Sequence, residues 1–213
     1  MGFLSVLSMA HKLISERVSP GDTVIDATCG NGVDTRFLAE LVGARGTVFA
    51  FDIQAQALQR TDERLAPLAA EGKLPKLHLV HDSHAAMASY AAADQLPAVS
   101  AAHHPLPSPS GKSSVSQVAA VMFNLGYLPG ADADPSVITQ PDSTLAALDA
   151  ALSLLRPGGI VTAVVYPGHA GGDQEAAAVA QWAAALPQHA GQAISYRMAQ
   201  KPDSPYLIAV EKR

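Results

Sequence analysis

Short apolar segments alternate with amphipathic helical ones along most of this chain, and that alternation limits its possible folds more than any other feature. Thr23–Ala27, Thr47–Asp52, the segment from Lys76 to about Asp82, Ala119–Asn124 and Arg156–Tyr166 read as strands. Most are near-continuous apolar runs of the kind that a strand buried on both faces requires. Between them lie helical stretches from Asp34 to Leu41, from Gln54 to Ala70 with Ala57, Leu58, Thr61 and Leu65 on one face, the weakly helical "AAMASYAAA", and Ser143 to Leu155. Strands joined through helices run parallel, because the crossover returns the chain to the same end of the sheet. The expected architecture is α/β, a mostly parallel sheet with helices on both faces.

The two ends of the chain extend this plan. In "MGFLSVLSMAHKLISERV", Phe3, Leu7, Ala10, Leu13, Ile14 and Val18 recur at helical spacing, while His11, Lys12, Glu16 and Arg17 interrupt any signal-peptide core. This reads as an amphipathic first helix. Near the other end, "DQEAAAVAQWAAAL" reads as a helix with Asp173 as its N-cap. The strands "AISYRMAQ" and "PYLIAVEKR" follow with no helix between them, so they pair antiparallel. Seven strands result, the last two forming an antiparallel hairpin. One stretch resists the pattern: Pro97 to Ser116 is rich in Pro and Ser and reads as a flexible insertion in an otherwise single domain spanning residues 1–213.

The 213 residues carry a formal charge of −5, which excludes a globally basic nucleic-acid binder and leaves only local patches for phosphate contacts. Cys29 is the sole cysteine, so no intrachain disulfide forms and a reducing, cytoplasmic home is expected. No apolar run approaches the length of a membrane span. His103 and His104 fall in the Pro/Ser-rich stretch without partner ligands at useful spacing, and no metal is expected.

The chemistry centres on "VIDATCGNGVDT", Val24 to Thr35: a strand, a glycine-bearing turn, then a helix. Such a turn brings a ligand to backbone N–H groups at a helix N-terminus, and an acid ending the next strand, here Asp52, takes ribose hydroxyls. Nicotinamide and S-adenosylmethionine enzymes both meet this description. The dinucleotide fingerprint needs G-x-G-x-x-G, and from Gly30 its third glycine falls on Thr35. The methyltransferase frame D-x-G-x-G-x-G is filled by Asp26, Thr28, Gly30 and Gly32, with Thr in the first glycine slot. A carboxylate at Asp26 suits a ligand with an ammonium group better than a pyrophosphate, which it repels. Asp82, Ser83 and His84 end the third strand where an adenine would lie. Asn124 and Tyr127 in "FNLGYLPG" end the fourth, where class I N-methyltransferases present N/D-P-P-Y/F to an amine; here Leu125 and Gly126 replace the prolines.

Together "DATCGNGVDT", "AFDIQAQAL", "DSH", "MFNLGYLPG", "YPGHAGG" and "PYLIAVEK" resemble, in order and over nearly the whole chain, the YtqB/MnmM-like methyltransferases, labelled rRNA methylases and associated with wobble-uridine methylation in tRNA. The resemblance implies a Rossmann-like class I fold and S-adenosylmethionine as cofactor, held by Asp26, Thr28, Gly30, Asn31, Gly32, Asp34, Thr35, Asp52, Ile53, Gln54, Asp82, Ser83, His84 and Asn124. It implies a tRNA partner contacted at the anticodon region, and methylation of the aminomethyl group of 5-aminomethyl-2-thiouridine. Asn124, Tyr127 and His169 are the expected catalytic residues, and Tyr127, Tyr166, His169 and Arg197 the expected substrate contacts; a homo-oligomer is compatible with the sequence. Cys29 and the Pro/Ser-rich insertion depart from the usual family pattern. The rival readings are a small-molecule methyltransferase of the same fold, which the acidic charge suits, and a nicotinamide-dependent oxidoreductase.

Overall fold

The computed structural model describes residues 2–91, 118–126, 140–168 and 171–213. Its strands are β1 (Thr23–Asp26), β2 (Thr47–Asp52), β3 (Lys76–His81), β4 (Val118–Leu125), β5 (Leu155–Val165), β6 (Gly191–Tyr196) and β7 (Tyr206–Lys212). The helices are α1 (Val6–Ser15), α2 (Val33–Val42), α3 (Ala55–Ala70), α4 (Met87–Ala91), α5 (Pro141–Leu154) and α6 (Gly172–Ala185), with a 3-10 turn at His84–Ala86 before α4.

All seven strands form one sheet in the order β3-β2-β1-β4-β5-β7-β6. The first five are parallel neighbours, whereas β7 runs antiparallel to both β5 and β6. The hairpin therefore folds back on itself: the last strand fills the place beside β5, and β6 is left as the edge. This is the class I methyltransferase sheet that the sequence leads one to expect. The strand order reverses between β1 and β4, so the connections leaving them diverge to opposite faces. A crevice opens at their C-terminal ends.

Burial sorts the helices by face. Ala10 and Ile14 of α1, Leu38 and Val42 of α2, and Leu65 of α3 close one side of the sheet. Leu148 and Ala151 of α5, Val179 of α6 and Met87 of α4 close the other. Strand β4, between both layers, is buried along nearly its whole length.

Two details depart from the expected pattern. Phe3 is 92% exposed, because α1 begins only at Val6, where Ser5 accepts the Ser8 N–H as N-cap. Asp173 is not an N-cap either: Gly171, in the left-handed conformation, precedes α6, and Asp173 stands in the first turn, where its charge faces the positive end of the helix dipole. Among the described residues no helix is long and apolar enough to cross a membrane. The Pro/Ser-rich stretch with His103 and His104 lies outside the described residues.

Candidate active site

Three strand ends are stitched together through the glycine loop. Asp26, 1% exposed, accepts the Thr28 N–H at 3.1 Å on Oδ1 and the Thr35 hydroxyl at 2.6 Å on Oδ2, so both ends of the loop are tied to one carboxyl. Thr28 Oγ1 accepts the Asn124 N–H at 2.8 Å, bridging β1 to the end of β4 across the crevice. A glycine in that slot has no atom to make this bridge. Asp52 accepts the Gly30 N–H at 3.0 Å on one oxygen and the Gln54 N–H at 2.9 Å on the other, which binds the end of β2 to the same loop.

These ends wall a cavity of about 440 Å³ that also takes in Phe51, Ile53, Asp82, Ser83, His84, Gly126, Tyr166 and, from the start of α5, Gln140 and Ser143. Asp34, Asp52 and Asp82 are its charged residues, and among the described residues no lysine or arginine lines it. Burial raises the Asp52 carboxyl above its usual range. Asp26, just behind the wall, is pushed up to about 7, by burial first and then by the neighbouring Asp34 charge. Carboxylates crowded together in this way favour a positively charged occupant and repel a pyrophosphate. His84 is 7% exposed and burial holds its ring toward the neutral form. It bonds to the Ala27 carbonyl, and its Nε2 is buried without a protein partner, a polar atom left for a ligand that reaches the wall. Among the described residues no group of three or more His, Cys, Asp and Glu is placed to hold a metal ion.

The Asp26 carboxyl has a measurable consequence. Its folded-state affinity for a proton exceeds that of the unfolded chain, so its contribution to stability is full below about pH 4 and is lost as the pH rises through about 7. Urea unfolding of wild type and Asp26→Asn at pH 5 and pH 8.5 should therefore show the Asn variant gaining on wild type at the higher pH. A stability difference independent of pH would contradict a raised Asp26.

Of the residues expected to hold the cofactor, Thr28, Gly30, Asn31, Asp34, Asp52, Ile53, Gln54, Asp82, Ser83, His84 and Asn124 line the cavity, as does Tyr166. Asp26, Gly32 and Thr35 do not; they stand behind it and shape the loop. Arg197, expected at the substrate, lies elsewhere: it is exposed at the end of β6, over the Tyr206 ring at 4.9 Å, and donates to the Pro202 carbonyl at 2.9 Å. The physical reason is the hairpin order, which carries β6 to the sheet edge, with β7 and β5 between it and the crevice. Tyr127 and His169 lie outside the described residues. The thiol of Cys29 is 3% exposed and its pKa is raised, chiefly by burial, so it offers no thiolate for catalysis.

The structure adds wall residues with no motif of their own. Phe51, Val33, Gln140 and Ser143 reach the cavity through topology; the one local hint for the last two is Pro141, which marks the start of α5. At the mouth, Asn124 donates from Nδ2 to Asp34 Oδ2 at 3.2 Å and accepts the Tyr166 hydroxyl on Oδ1 at 2.8 Å. A carboxylate only accepts, so the amide nitrogen must face Asp34 and the amide oxygen Tyr166. Burial and the Asp34 charge raise the Tyr166 pKa and keep its hydroxyl protonated.

A family model described as "Putative rRNA methylase" matches residues 48–211, and one described as "Methyltransferase domain" matches residues 18–74. The chain belongs to this rRNA_methylase family of methyltransferases. Within the family's reach, the chain is 34% identical over 210 residues to an Arabidopsis thaliana protein named "tRNA (mnm(5)s(2)U34)-methyltransferase, chloroplastic", covering 96% of this chain and 68% of that protein. Among solved structures, a "putative rRNA-methylase" of Clostridium thermocellum superposes with a TM-score of 0.81 at 35% identity, with all of both chains covered. A Streptococcus mutans protein described as "a putative methyltransferase", solved in complex with SAH, superposes with a TM-score of 0.76 at 31% identity, again over the full length of both. This rRNA_methylase family member is thus an enzyme that transfers methyl groups, with the fold of its solved relatives.

Proposed function

We propose that this methyltransferase methylates the aminomethyl group of wobble 5-aminomethyl-2-thiouridine in tRNA, giving the methylaminomethyl form, from a single catalytic domain in a reducing compartment such as the cytoplasm. The observation that carries the reading is the pairing of an acidic cavity with hydrogen-bond acceptors at its mouth, where Asn124, Tyr166 and Asp34 meet. The 34% identity to a protein named for the same wobble position supports the choice of tRNA.

S-adenosylmethionine is the cofactor, and when bound it supplies an electrophilic methyl on a positively charged sulfur. The residues present fit it. Asp52 would take the ribose hydroxyls, Asp82, Ser83 and the buried, unpartnered Nε2 of His84 would face the adenine, and the loop from Thr28 to Asn31, backed by Asp26, would hold the methionine end. The acceptor amine sets the remaining requirement. A free alkylamine resembles lysine with a pKa of ~10, and only its neutral form is nucleophilic. Two positive charges in one small cavity disfavour each other, which presses the amine toward neutrality. Asn124 Oδ1 keeps one lone pair beyond the bond to Tyr166, and Tyr166, donating its own proton to Asn124, turns its oxygen lone pairs outward. Both therefore accept N–H bonds and aim the amine lone pair. Asp34, bonded to Asn124 and facing the cavity, is placed to receive the departing proton directly or through water. Positioning of this kind supplies the larger part of a methyl-transfer rate.

The decisive test is transfer of labelled methyl from S-adenosylmethionine to tRNA that carries the aminomethyl group, with nucleoside mass spectrometry of the product. Methylaminomethyl-2-thiouridine should appear, and cells lacking the gene should accumulate the unmethylated nucleoside. Turnover of a small amine with no label in RNA would overturn the tRNA reading in favour of a small-molecule methyltransferase.

A further inference from the structure

The Asn124 amide is held from behind by Asp34, and Asp34 in turn by a residue that no cofactor or substrate motif contains. Asp34 opens α2, and its second oxygen, Oδ1, bonds to Nε2 of His11 at 2.7 Å. His11 belongs to α1, 23 residues earlier in the chain, and does not line the cavity. Its ring lies flat against Phe37 of α2, with centroids 3.9 Å apart and planes 9° from parallel. Because an ionised carboxylate only accepts, the His11 nitrogen in this bond carries the proton. The result is a continuous line, His11 to Asp34 to Asn124 to Tyr166, from helix surface to cavity mouth.

We propose that His11 is a positioning residue for methyl transfer: by donating to Asp34 it fixes the carboxylate that orients the Asn124 amide, so that acceptors and not donors face the incoming amine. The inference rests on the reading that Asn124 receives the amine. An amide can turn by half a revolution at little cost in shape, and a turned Asn124 would present its NH₂ to the amine, where no hydrogen bond to an N–H can form. Asp34 forbids that state only while it is itself held. His11 occupies Oδ1 and the flat stack on Phe37 fixes the ring, which leaves Oδ2 directed at Asn124. A second-layer bond of this kind orients the group that does the chemistry without touching the reactants.

Two substitutions separate the bond from the packing. His11→Phe keeps a ring on Phe37 and removes the donor; His11→Gln restores a donor on a shorter, unstacked chain. With whichever acceptor wild type methylates, kcat of His11→Phe should fall by about 10- to 50-fold, as expected for losing one bond to a charged group. The KM for S-adenosylmethionine should stay within about twofold and His11→Gln should recover much of the rate. In the Asn124→Ala background the same His11→Phe change should have no further effect, because its route is already gone. A second readout needs no activity. The Asn124 side-chain amide signal in a ¹⁵N spectrum, assigned by its loss in Asn124→Ala, should move in His11→Phe and return toward wild type in His11→Gln. Wild-type kcat in His11→Phe, a loss that persists in Asn124→Ala, or an unmoved amide signal would each overturn the role of His11. Failure of wild type to methylate the tRNA would instead strike the substrate assignment, and the amide signal would still decide the question of His11.

Discussion

Asn124→Ala is expected to lower kcat by about 100-fold or more while the affinity for S-adenosylmethionine changes by less than about threefold, a size typical of removing one preorganised polar group from a reacting centre. The backbone explains why the two effects separate. The Asn124 N–H is held by Thr28 Oγ1, so the end of β4 and the loop beside it keep their places when the side chain is cut back. What disappears is the amide that accepts from Tyr166 and donates to Asp34. Asn124→Asp should be no better tolerated. It would set a second carboxylate 3.2 Å from Asp34, where two like charges cannot both persist and one must take a proton. Steady-state methyl transfer with calorimetric titration of the cofactor checks both variants; an Asn124→Ala enzyme with wild-type kcat would remove Asn124 from the mechanism.

The second large effect is on stability. Gly32 has φ of +74°, and a Cβ built on it would sit 2.8 Å from the Thr61 Cα of α3. The left-handed conformation costs an alanine roughly 1–2 kcal/mol, and overpacking against backbone adds about 1–3 kcal/mol. Gly32→Ala should therefore lose about 3 kcal/mol, a sizeable share of a normal stability of about 5–15 kcal/mol, and lower Tm by roughly 10 °C in a chain of this size. Gly72→Ala is the internal control, because Gly72 closes α3 with φ of +66° and has open space around its missing Cβ. It should lose only the conformational part. Equal Tm shifts in the two variants would show that the approach of α3 to the loop is not what demands glycine at 32. This glycine thus serves helix packing, although the motif that contains it is usually read for its ligand.

How much of the site was legible residue by residue depends on how far each contact reaches along the chain. Asp52, Asp82 and His84 end successive strands or begin the turns that follow, and parallel strands bring such ends to one edge whatever the packing details. They could be placed from the alternation alone. Thr28 stands out in the sequence only as an exception in a glycine slot; its use, a bond to the Asn124 N–H across 96 positions of sequence, depends on β1 and β4 being neighbours. Arg197, expected among the substrate contacts, stands at the sheet edge away from the crevice for the same kind of reason: nothing local states whether the first or the second hairpin strand joins β5. His11 carried no signal beyond being a polar residue on an amphipathic helix, and only the packing of α1 near α2 brings it to Asp34.

The sequence by itself determined the parallel sheet, the crevice at its strand ends and the sign of charge gathered there, because periodicity and turn chemistry are local and topology follows from them with few alternatives. The tertiary structure alone decided which side of each carboxylate is spoken for, which glycine is demanded by a neighbouring helix, and that an N-terminal histidine stands behind the amide at the mouth. Those outcomes depend on distances between segments far apart in the chain, set by how side chains fill the layers, and no one-dimensional pattern records them.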